Sequence, residues 1–234
     1  MVNDPNNLMR LHLEALYTYD KRERIAGCNQ FDGGTAPRFH LARSRNRNFW
    51  AIRNDVPRDV AKALIKCVND EPRLEDPLAP PKHENQYFEI LANTRPIEAI
   101  WRGPAYRFTQ TRTAMGIDIV DIDAHNQHLL IPLMADWLPD VPHRQPLIAA
   151  IEAGSAVAVC ASARITKSAH EAGVETSVTH RHRGYAKRVV ATWANRVSRL
   201  GAAPIYSTSW ENQASRAVAA SLELELIGTD FHIR

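Results

Sequence analysis

The sequence predicts an α/β (α+β) fold in two lobes, an N-terminal α+β lobe at 1–112 and a second lobe at 113–234. The first third mixes strand-like and helix-like segments, and from Gly116 onward strands and amphipathic helices alternate regularly. Between them, Thr109–Met115 is polar and has no periodicity, so the boundary is placed there. With 234 residues, 44% of them hydrophobic, the chain is large enough to bury a core without disulfides or metal ions.

Composition favours a cytoplasmic protein. The three cysteines are far apart and form no Cys-x-x-Cys pair, which argues against a disulfide framework or a zinc knuckle. The N-terminus has no basic region followed by an apolar run, and apolar stretches are much shorter than the roughly 20 residues that cross a bilayer. The net charge of +3 is mildly basic with both signs interspersed, which suits an anionic ligand and does not by itself indicate nucleic acid.

The N-terminal lobe shows regular elements and no constellation of catalytic residues, so we expect it to shape one wall of a cleft. Its predicted elements are strands at Arg38–Ala42 and Asn48–Arg53, helices at Pro57–Val68 and Glu84–Leu91, and a strand at Ile97–Phe108. A proline-bearing loop, 71–82, joins the two helices.

The second lobe is more regular. Its predicted elements are a short strand with Ile117, Ile119 and Ile122, a helical pattern at His125–Trp137 interrupted by Pro132, a hairpin of Pro146–Glu152 and Ser155–Ile165, a strand at Val174–Thr179, a helix at Gly184–Leu200, a strand at Pro204–Trp210, a helix at Asn212–Leu222 and a strand at Leu224–Ile233. The clearest helix has an apolar stripe and ends before Gly201. The stripe comprises Ala186, Val189, Val190, Trp193, Val197 and Leu200.

The start of that helix is a candidate anion site. A strand ends near Thr176, a basic turn with Arg181 and Arg183 follows, and the helix begins at Gly184. The free N–H groups of a first helical turn and the helix dipole both favour negative charge. The small Gly184 lets a phosphate approach the backbone, and Lys187 adds a further cation. No Gly-x-x-x-x-Gly-Lys-Ser/Thr loop and no Gly-x-Gly-x-x-Gly loop is present.

Two motifs together indicate a family. The run Arg181-His182-Arg183-Gly184-Tyr185-Ala186 resembles the Gln/Arg-x-x-Gly-x-Gly/Ala pyrophosphate loop of the GNAT superfamily of acyl-CoA N-acyltransferases. The strand and helix at Tyr206–Ser215 resemble its second cofactor element, in which an asparagine starts a helix and Ala or Ser follows three residues later. The resemblance covers Gly116–Ile233, about half the chain, and includes the order of strands and helices.

The resemblance implies a GNAT-type mixed, mostly antiparallel sheet with flanking helices, and acetyl-CoA as co-substrate with no metal. The strand ending at Val174-Glu175-Thr176 would pair with the pantetheine arm and splay away from the strand at Tyr206–Ser209. A backbone amide near Thr176 would then polarise the thioester carbonyl. The implied cofactor-binding residues are Val174, Thr176, Arg181, His182, Arg183, Gly184, Tyr185, Ala186, Lys187, Asn212 and Ser215.

The implied reaction is direct attack of a neutral amine on the acyl thioester, which requires a proton acceptor. Glu175 is the first candidate, with His170 and Glu171 as alternatives. Many family members carry a leaving-group tyrosine seven residues after the asparagine, but that position is Ala219 here, and Glu223 stands where Gly is expected. Either no side-chain acid is used, or Tyr206, Ser207 or Ser209 takes the role.

Three other interpretations compete with an acetyl-CoA-dependent acyltransferase. A metal cluster of His170, His180, His182, Glu171 and Glu175 is disfavoured because two of the histidines flank the cationic turn. A non-catalytic acetyl-CoA-binding module would suit the missing tyrosine. An acyltransferase using aminoacyl-tRNA is compatible with the basic residues. Transfer RNA would then be the one nucleic-acid partner. A small-molecule amine is the expected partner, whereas acyl length and oligomeric state are left open.

Overall fold

The computed structural model of the chain describes residues 5–109 and 118–234. The helices in these ranges are α1 (Pro5–Leu16), α2 (Arg58–Asn69), α3 (Glu84–Ala92), α4 (Ile131–Met134), α5 (Tyr185–Arg199) and α6 (Gln213–Ser221). The strands are β1 (Tyr17–Tyr19), β2 (Ile25–Cys28), β3 (Phe39–Arg43), β4 (Phe49–Ile52), β5 (Ile100–Arg107), β6 (Asp118–Asp121), β7 (Leu147–Glu152), β8 (Ser155–Ile165), β9 (Ala169–Thr176), β10 (Ala203–Ser207) and β11 (Glu225–Ile233). Short 3-10 helices cover Gln127–Leu130, Ala135–Asp140 and Val178–His180.

One nine-stranded sheet organises the molecule, in the order β4-β3-β11-β5-β10-β9-β8-β7-β6. Its β9–β10 pair is parallel and the other neighbouring pairs are antiparallel. A separate hairpin of β1 and β2 adds to the N-terminal half. The predicted α+β class, with a mostly antiparallel sheet and flanking helices, is confirmed.

Strands from the two halves of the chain share this sheet. Strand β5, from the first half, lies between β10 and β11, and β3 and β4 extend the sheet beyond β11. The boundary expected within Thr109–Met115, and the start of the second lobe at 113, fall outside the described ranges except for Thr109. The division into lobes at 112/113 therefore stays a prediction.

The two faces of the sheet carry different layers. On one face, Val189, Val190, Trp193 and Val197 of α5 are buried against alternate residues of β7 and β8, and Ala219 of α6 belongs to the same cluster. The predicted apolar stripe is confirmed at these four positions of α5, whereas Ala186 is only half-buried and Leu200 is 65% exposed because the helix has ended by that position. Gly201 follows with a φ of 80°, the left-handed conformation of a helix stop.

The opposite face is covered by α1 and by the 3-10 and α4 segments. Leu8, Leu11 and Ala15 of α1 pack on Ala169 of β9 and on Ile205 of β10. Further along the sheet, residues between Ile122 and Val141 pack on the odd-numbered residues of β7 and β8. The 1–37 segment was not assigned from the sequence, so α1 and the β1–β2 hairpin are additions.

Several boundaries differ from the sequence predictions. The helix expected at His125–Trp137 is broken into 3-10 and α4 pieces, with Pro132 in the first turn of α4 because proline lacks the N–H that a helix interior needs. The strand expected at Val174–Thr179 begins at Ala169 and ends at Thr176, where a 3-10 turn takes over. The strand expected at Pro204–Trp210 ends at Ser207.

The other predicted elements are confirmed to within a few residues. The strand predicted with Ile117, Ile119 and Ile122 corresponds to β6, although Ile117 itself lies outside the described residues. The β7–β8 hairpin turns at Ala153 and Gly154, whose φ angles are 50° and 76°. Asn212 caps α6, as expected, because its Oδ1 accepts a hydrogen bond from the Ser215 backbone N–H at 3.0 Å. None of the helices in the described ranges combines the length and the apolar character that a membrane crossing requires.

Candidate active site

The parallel strands β9 and β10 separate part-way along their length. They pair at Ala203 with Ala169, Pro204 with His170 and Ile205 with Glu171. Beyond these positions, Ala172–Thr176 of β9 pair with β8, while Tyr206 and Ser207 of β10 pair with β5. The opening between 172–176 and 206–209 is called the cleft below, and it is the separation that the motif resemblance implied.

Strand β5 holds the β10 side of the cleft away from β9. The backbone N–H of Thr208 donates to the carbonyl oxygen of Pro104, and that of Trp210 donates to the carbonyl oxygen of Arg102, each at 3.2 Å. A methyl group at Gly103 would lie only 1.9 Å from the carbonyl oxygen of Thr208. The close approach of these backbones therefore requires glycine at position 103.

The basic turn leads from the open end of β9 into α5. Arg181 to Gly184 are exposed, and Gly184 is the N-cap of α5 with a φ of 79°. No side chain caps the helix, and a Cβ built at Gly184 would meet no described atom within 4 Å. The first-turn N–H groups of α5 thus face open space beside exposed arginines, which is the geometry of an anion site.

A carboxylate that sequence reasoning missed lies at the rim of this turn. Glu152, at the end of β7, accepts a 2.5 Å hydrogen bond from the Tyr185 hydroxyl, which raises the pKa of that tyrosine. The same carboxylate lies 3.5 Å from Arg183 Nη1 and 3.6 Å from His180 Nε2. Arg181 instead donates from Nε to the carbonyl oxygen of Thr176 at 3.4 Å.

The side of the cleft facing α1 carries two carboxylates. On β9, Glu171, Gly173 and Glu175 share one face because side chains alternate along a strand. Glu175 is exposed, and Trp137 Nε1 donates to its Oε2 at 2.6 Å. Nearby, the hydroxyl of Thr176 is buried and has no hydrogen-bond partner within the described part of the chain.

His170 points to the opposite face of β9 from Glu171 and Glu175. It contacts Ser162 Oγ through Nδ1 at 2.9 Å, and Trp193 Nε1 donates to the same oxygen at 3.0 Å. Burial lowers the pKa of His170. Within residues 5–109 and 118–234, no group of three or more His, Cys, Asp or Glu side chains is arranged to hold a metal ion.

Tyr206 of β10 reaches the first turn of α6. Its hydroxyl contacts Ser215 Oγ at 2.6 Å, and burial raises its pKa to about 12. Ala219 is buried in the same hydrophobic cluster as Tyr206, on the side of the sheet that α5 covers. Asn212, Ser215 and Tyr206 are therefore brought together, whereas Glu175 and Ser207 lie on the other face of their strands.

A second feature that sequence reasoning missed comes from α1. His12 is buried between Glu171 of β9 and Asp230 of β11, at 2.6 Å and 2.7 Å from their carboxylate oxygens. Ser207 Oγ donates to the other oxygen of Glu171 at 3.1 Å. In the sequence, the available signal was a histidine one residue after Leu11, within the apolar stripe of Leu8, Leu11 and Ala15.

Solved structures give the fold a name. A GCN5-related N-acetyltransferase-like protein from Streptococcus suis superposes over 99% of this chain and 100% of its own, with a TM-score of 0.51 and 15% identity. The chain has the GNAT fold. A GNAT-family acetyltransferase from Colwellia psychrerythraea matches 80% of this chain and 76% of its own at 14% identity, with a TM-score of 0.49.

Another GNAT-family neighbour, a putative acetyltransferase from Novosphingobium aromaticivorans, matches 58% of this chain and has a TM-score of 0.46 and 13% identity. In that case the match spans 65% of the other protein's length. No protein-family model matches the sequence, and no curated protein matches it. At these identities the likeness shows the GNAT fold alone.

Proposed function

We propose that the protein is an N-acyltransferase that moves an acetyl or other short acyl group from CoA to a small-molecule amine. The observation that carries this proposal is the cleft between β9 and β10, which opens next to the exposed, uncapped N-terminus of α5. A phosphorylated cofactor such as acetyl-CoA requires an anion site for its phosphates, which the N-terminus of α5 would supply. It also requires a groove for its pantetheine chain, which the cleft would supply.

In this proposal, the pyrophosphate of acetyl-CoA binds the backbone N–H groups from Arg181 to Ala186, with Arg181, His182, Arg183, Tyr185 and Lys187 around it. The pantetheine arm runs along Val174–Thr176 as an added strand and passes Asn212 and Ser215. The buried, unpartnered hydroxyl of Thr176 supports this path, because a buried polar atom ordinarily has a hydrogen-bond partner.

The proposed chemistry forms a C–N bond and breaks the C–S bond of the thioester. Glu175 takes the proton of the attacking amine, directly or through water, and is held for this by Trp137. A backbone amide near Thr176 polarises the carbonyl oxygen. In this proposal Ser207, which lies on the same face as Glu171, orients the amine, and the leaving thiolate receives the proton of the Tyr206 hydroxyl.

The proposed acid can be tested by removing one oxygen. Tyr206→Phe is expected to lower kcat about 10²-fold, the lower end of the range for proton transfer by a side chain, because a thiolate is a tolerable leaving group. Tyr106→Phe is the matched control, since Tyr106 is the cross-strand partner of Tyr206 on β5. An unchanged kcat for Tyr206→Phe, with acetyl-CoA affinity also unchanged, would remove Tyr206 from the mechanism.

The arginines of the turn should act on the phosphates. The double variant Arg181→Ala with Arg183→Ala is expected to weaken acetyl-CoA binding about tenfold, or ~1.4 kcal/mol, and to leave the binding of a pantetheine-only analogue unchanged. Arg199→Ala, an exposed position at the far end of α5, serves as the control in the same titrations. Equal weakening of both ligands would show that these arginines support the turn and do not contact phosphate.

The decisive experiment for the proposal is calorimetric titration with acetyl-CoA, with CoA and ATP as comparison ligands. Acetyl-CoA is expected to bind with a micromolar Kd and with much higher affinity than ATP. Thiol release is then expected when amines are supplied. A protein that binds neither CoA nor acetyl-CoA contradicts the proposal.

A non-catalytic acetyl-CoA-binding module is the second candidate. The specific observation in its favour is Ala219, which is buried at the position where many family members carry the leaving-group tyrosine. Binding of acetyl-CoA without thiol release across a panel of amines would favour this candidate, and any measurable acyl transfer would exclude it.

A further inference from the structure

A chain of buried polar side chains runs from the cleft into the N-terminal half of the protein. Ser207 Oγ bonds Glu171, Glu171 bonds His12, and His12 bonds Asp230. Asp230 Oδ1 lies 3.0 Å from His40 Nε2, and His40 Nδ1 lies 2.8 Å from the Tyr17 hydroxyl. The connection therefore crosses β10, β9, α1, β11, β3 and β1, which belong to both halves of the sequence.

The hydrogen-bond partners determine the protonation states of the side chains in this connection. Both ring nitrogens of His12 face carboxylate oxygens, so both donate and the ring is an imidazolium. Burial alone would lower the pKa of His12, but Asp230 and Glu171 outweigh that effect and hold it well above the usual value. Asp230 in turn has a lowered pKa, because His12 and His40 outweigh the effect of its own burial.

Every carboxylate oxygen of Glu171 and Asp230 then has a donor. His12 and Ser207 donate to Glu171, and His12 and His40 donate to Asp230. The three charged groups sum to one negative charge, and each of these side chains is at most 4% exposed. Removing His12 would leave two buried carboxylates without the cation between them, which is far costlier than losing a surface ion pair.

Other charged or titratable groups also face this chain. His232 of β11 lies next to His40 and Asp230, and burial lowers its pKa to about 3, so it is neutral. Arg164 of β8 interacts electrostatically with Glu171 and with Tyr17. Cys28 of β2 interacts with Tyr17, whose pKa is raised by burial. Arg164 therefore acts on Glu171 electrostatically, whereas His12 is in hydrogen-bond contact with it.

We propose that His12 is a positioning residue for acyl transfer. Its ring donates from both nitrogens and fixes the Glu171 carboxylate, so that the Ser207 hydroxyl donates its proton to Glu171. The lone pairs of the Ser207 oxygen are then free to accept a hydrogen bond from the amine in the cleft. The inference rests on the proposed function. It makes α1 part of the active site, although α1 itself contacts no reacting atom.

The ionisation of His12 is testable without any turnover. In cofactor-free protein with ¹⁵N-labelled histidine, the His12 ring is expected to keep two protonated nitrogens at a pH where an ordinary histidine, with a pKa of ~6.5, has lost one of them. The His12 signals are assigned by their loss in His12→Gln, and Glu171→Gln is expected to lower their titration midpoint. A His12 ring that carries one proton at that pH overturns the proposal, whether or not the protein transfers acyl groups.

The positioning role is tested by the pH dependence of kcat/KM. In His12→Gln, the buried carboxylates of Glu171 and Asp230 lose the imidazolium between them, and two such carboxylates favour binding a proton between them. A protonated Glu171 donates to Ser207, which reverses the hydroxyl. We therefore expect an acidic limb shifted to higher pH and a loss of 10- to 100-fold in kcat/KM at neutral pH, in the range of a lost proton-orienting contact.

A second substitution separates charge from packing. The double variant His12→Gln with Asp230→Asn carries the same single negative charge as the wild type, so its acidic limb is expected to move back toward the wild-type position. His83→Gln is the matched control, because His83 is also a buried histidine beside a carboxylate, that of Asp70, and it lies outside this chain of side chains. An acidic limb that stays at the wild-type position in His12→Gln, or one that Asp230→Asn does not move back, would show that His12 is only a packing residue.

Discussion

Replacing Gly184 with valine is expected to abolish acetyl-CoA binding and to leave the fold intact. A Cβ at position 184 meets no described atom within 4 Å, so the added side chain would project into the space that the proposed site assigns to the pyrophosphate. The φ of 79° adds strain of about 1–2 kcal/mol for a residue with a Cβ. That strain lowers stability but does not account for a complete loss of affinity.

The same helix supplies a control for the strain. Gly201 follows the other end of α5 with a φ of 80°, and a Cβ there also meets no described atom within 4 Å. Gly201→Val should therefore reduce the free energy of unfolding about as much as Gly184→Val and bind acetyl-CoA like the wild type. Calorimetry and denaturant unfolding on both variants check this. Wild-type affinity in Gly184→Val would place the phosphates elsewhere.

Some parts of the candidate site are determined by residues that are close together in the sequence. The turn at Arg181–Gly184, the helix that follows and the Asn212 cap are set by neighbouring residues, so their spacing in the sequence predicts them. The apolar stripe of α5 is local in the same sense. The prediction is wrong at Leu200 because an apolar stripe does not indicate the residue at which the helix ends.

The contacts that shape the cleft depend on residues far apart in the sequence. Glu152 reaches the turn across the β7–β8 hairpin, and His12 meets Asp230 across 218 positions. The insertion of β5 between β10 and β11 pairs strands from the two halves of the chain. Neither the periodicity of a strand nor a local motif predicts such pairings, because the same strand pattern is compatible with several neighbouring strands in a sheet.

The second large effect is expected at Gly103. In Gly103→Ala the new methyl group would lie 1.9 Å from the carbonyl oxygen of Thr208 and 2.8 Å from its carbon. Both partners are backbone atoms of paired segments, so one strand must move. We expect a loss of ~3 kcal/mol in the free energy of unfolding, at the upper end for overpacking in a core, together with weaker acetyl-CoA binding because the β10 side of the cleft shifts.

Gly27→Ala is the matched control for this variant. Gly27 also lies in a strand, and the nearest atom to an added methyl group is Thr18 Oγ1 at 3.6 Å, an ordinary contact. Denaturant unfolding and calorimetry should show near-wild-type behaviour for Gly27→Ala and a loss in both measurements for Gly103→Ala. If Gly103→Ala lost stability but kept full affinity, the position of Thr208–Trp210 would not determine the width of the cleft. The cofactor would then depend on the β9 wall and the basic turn alone.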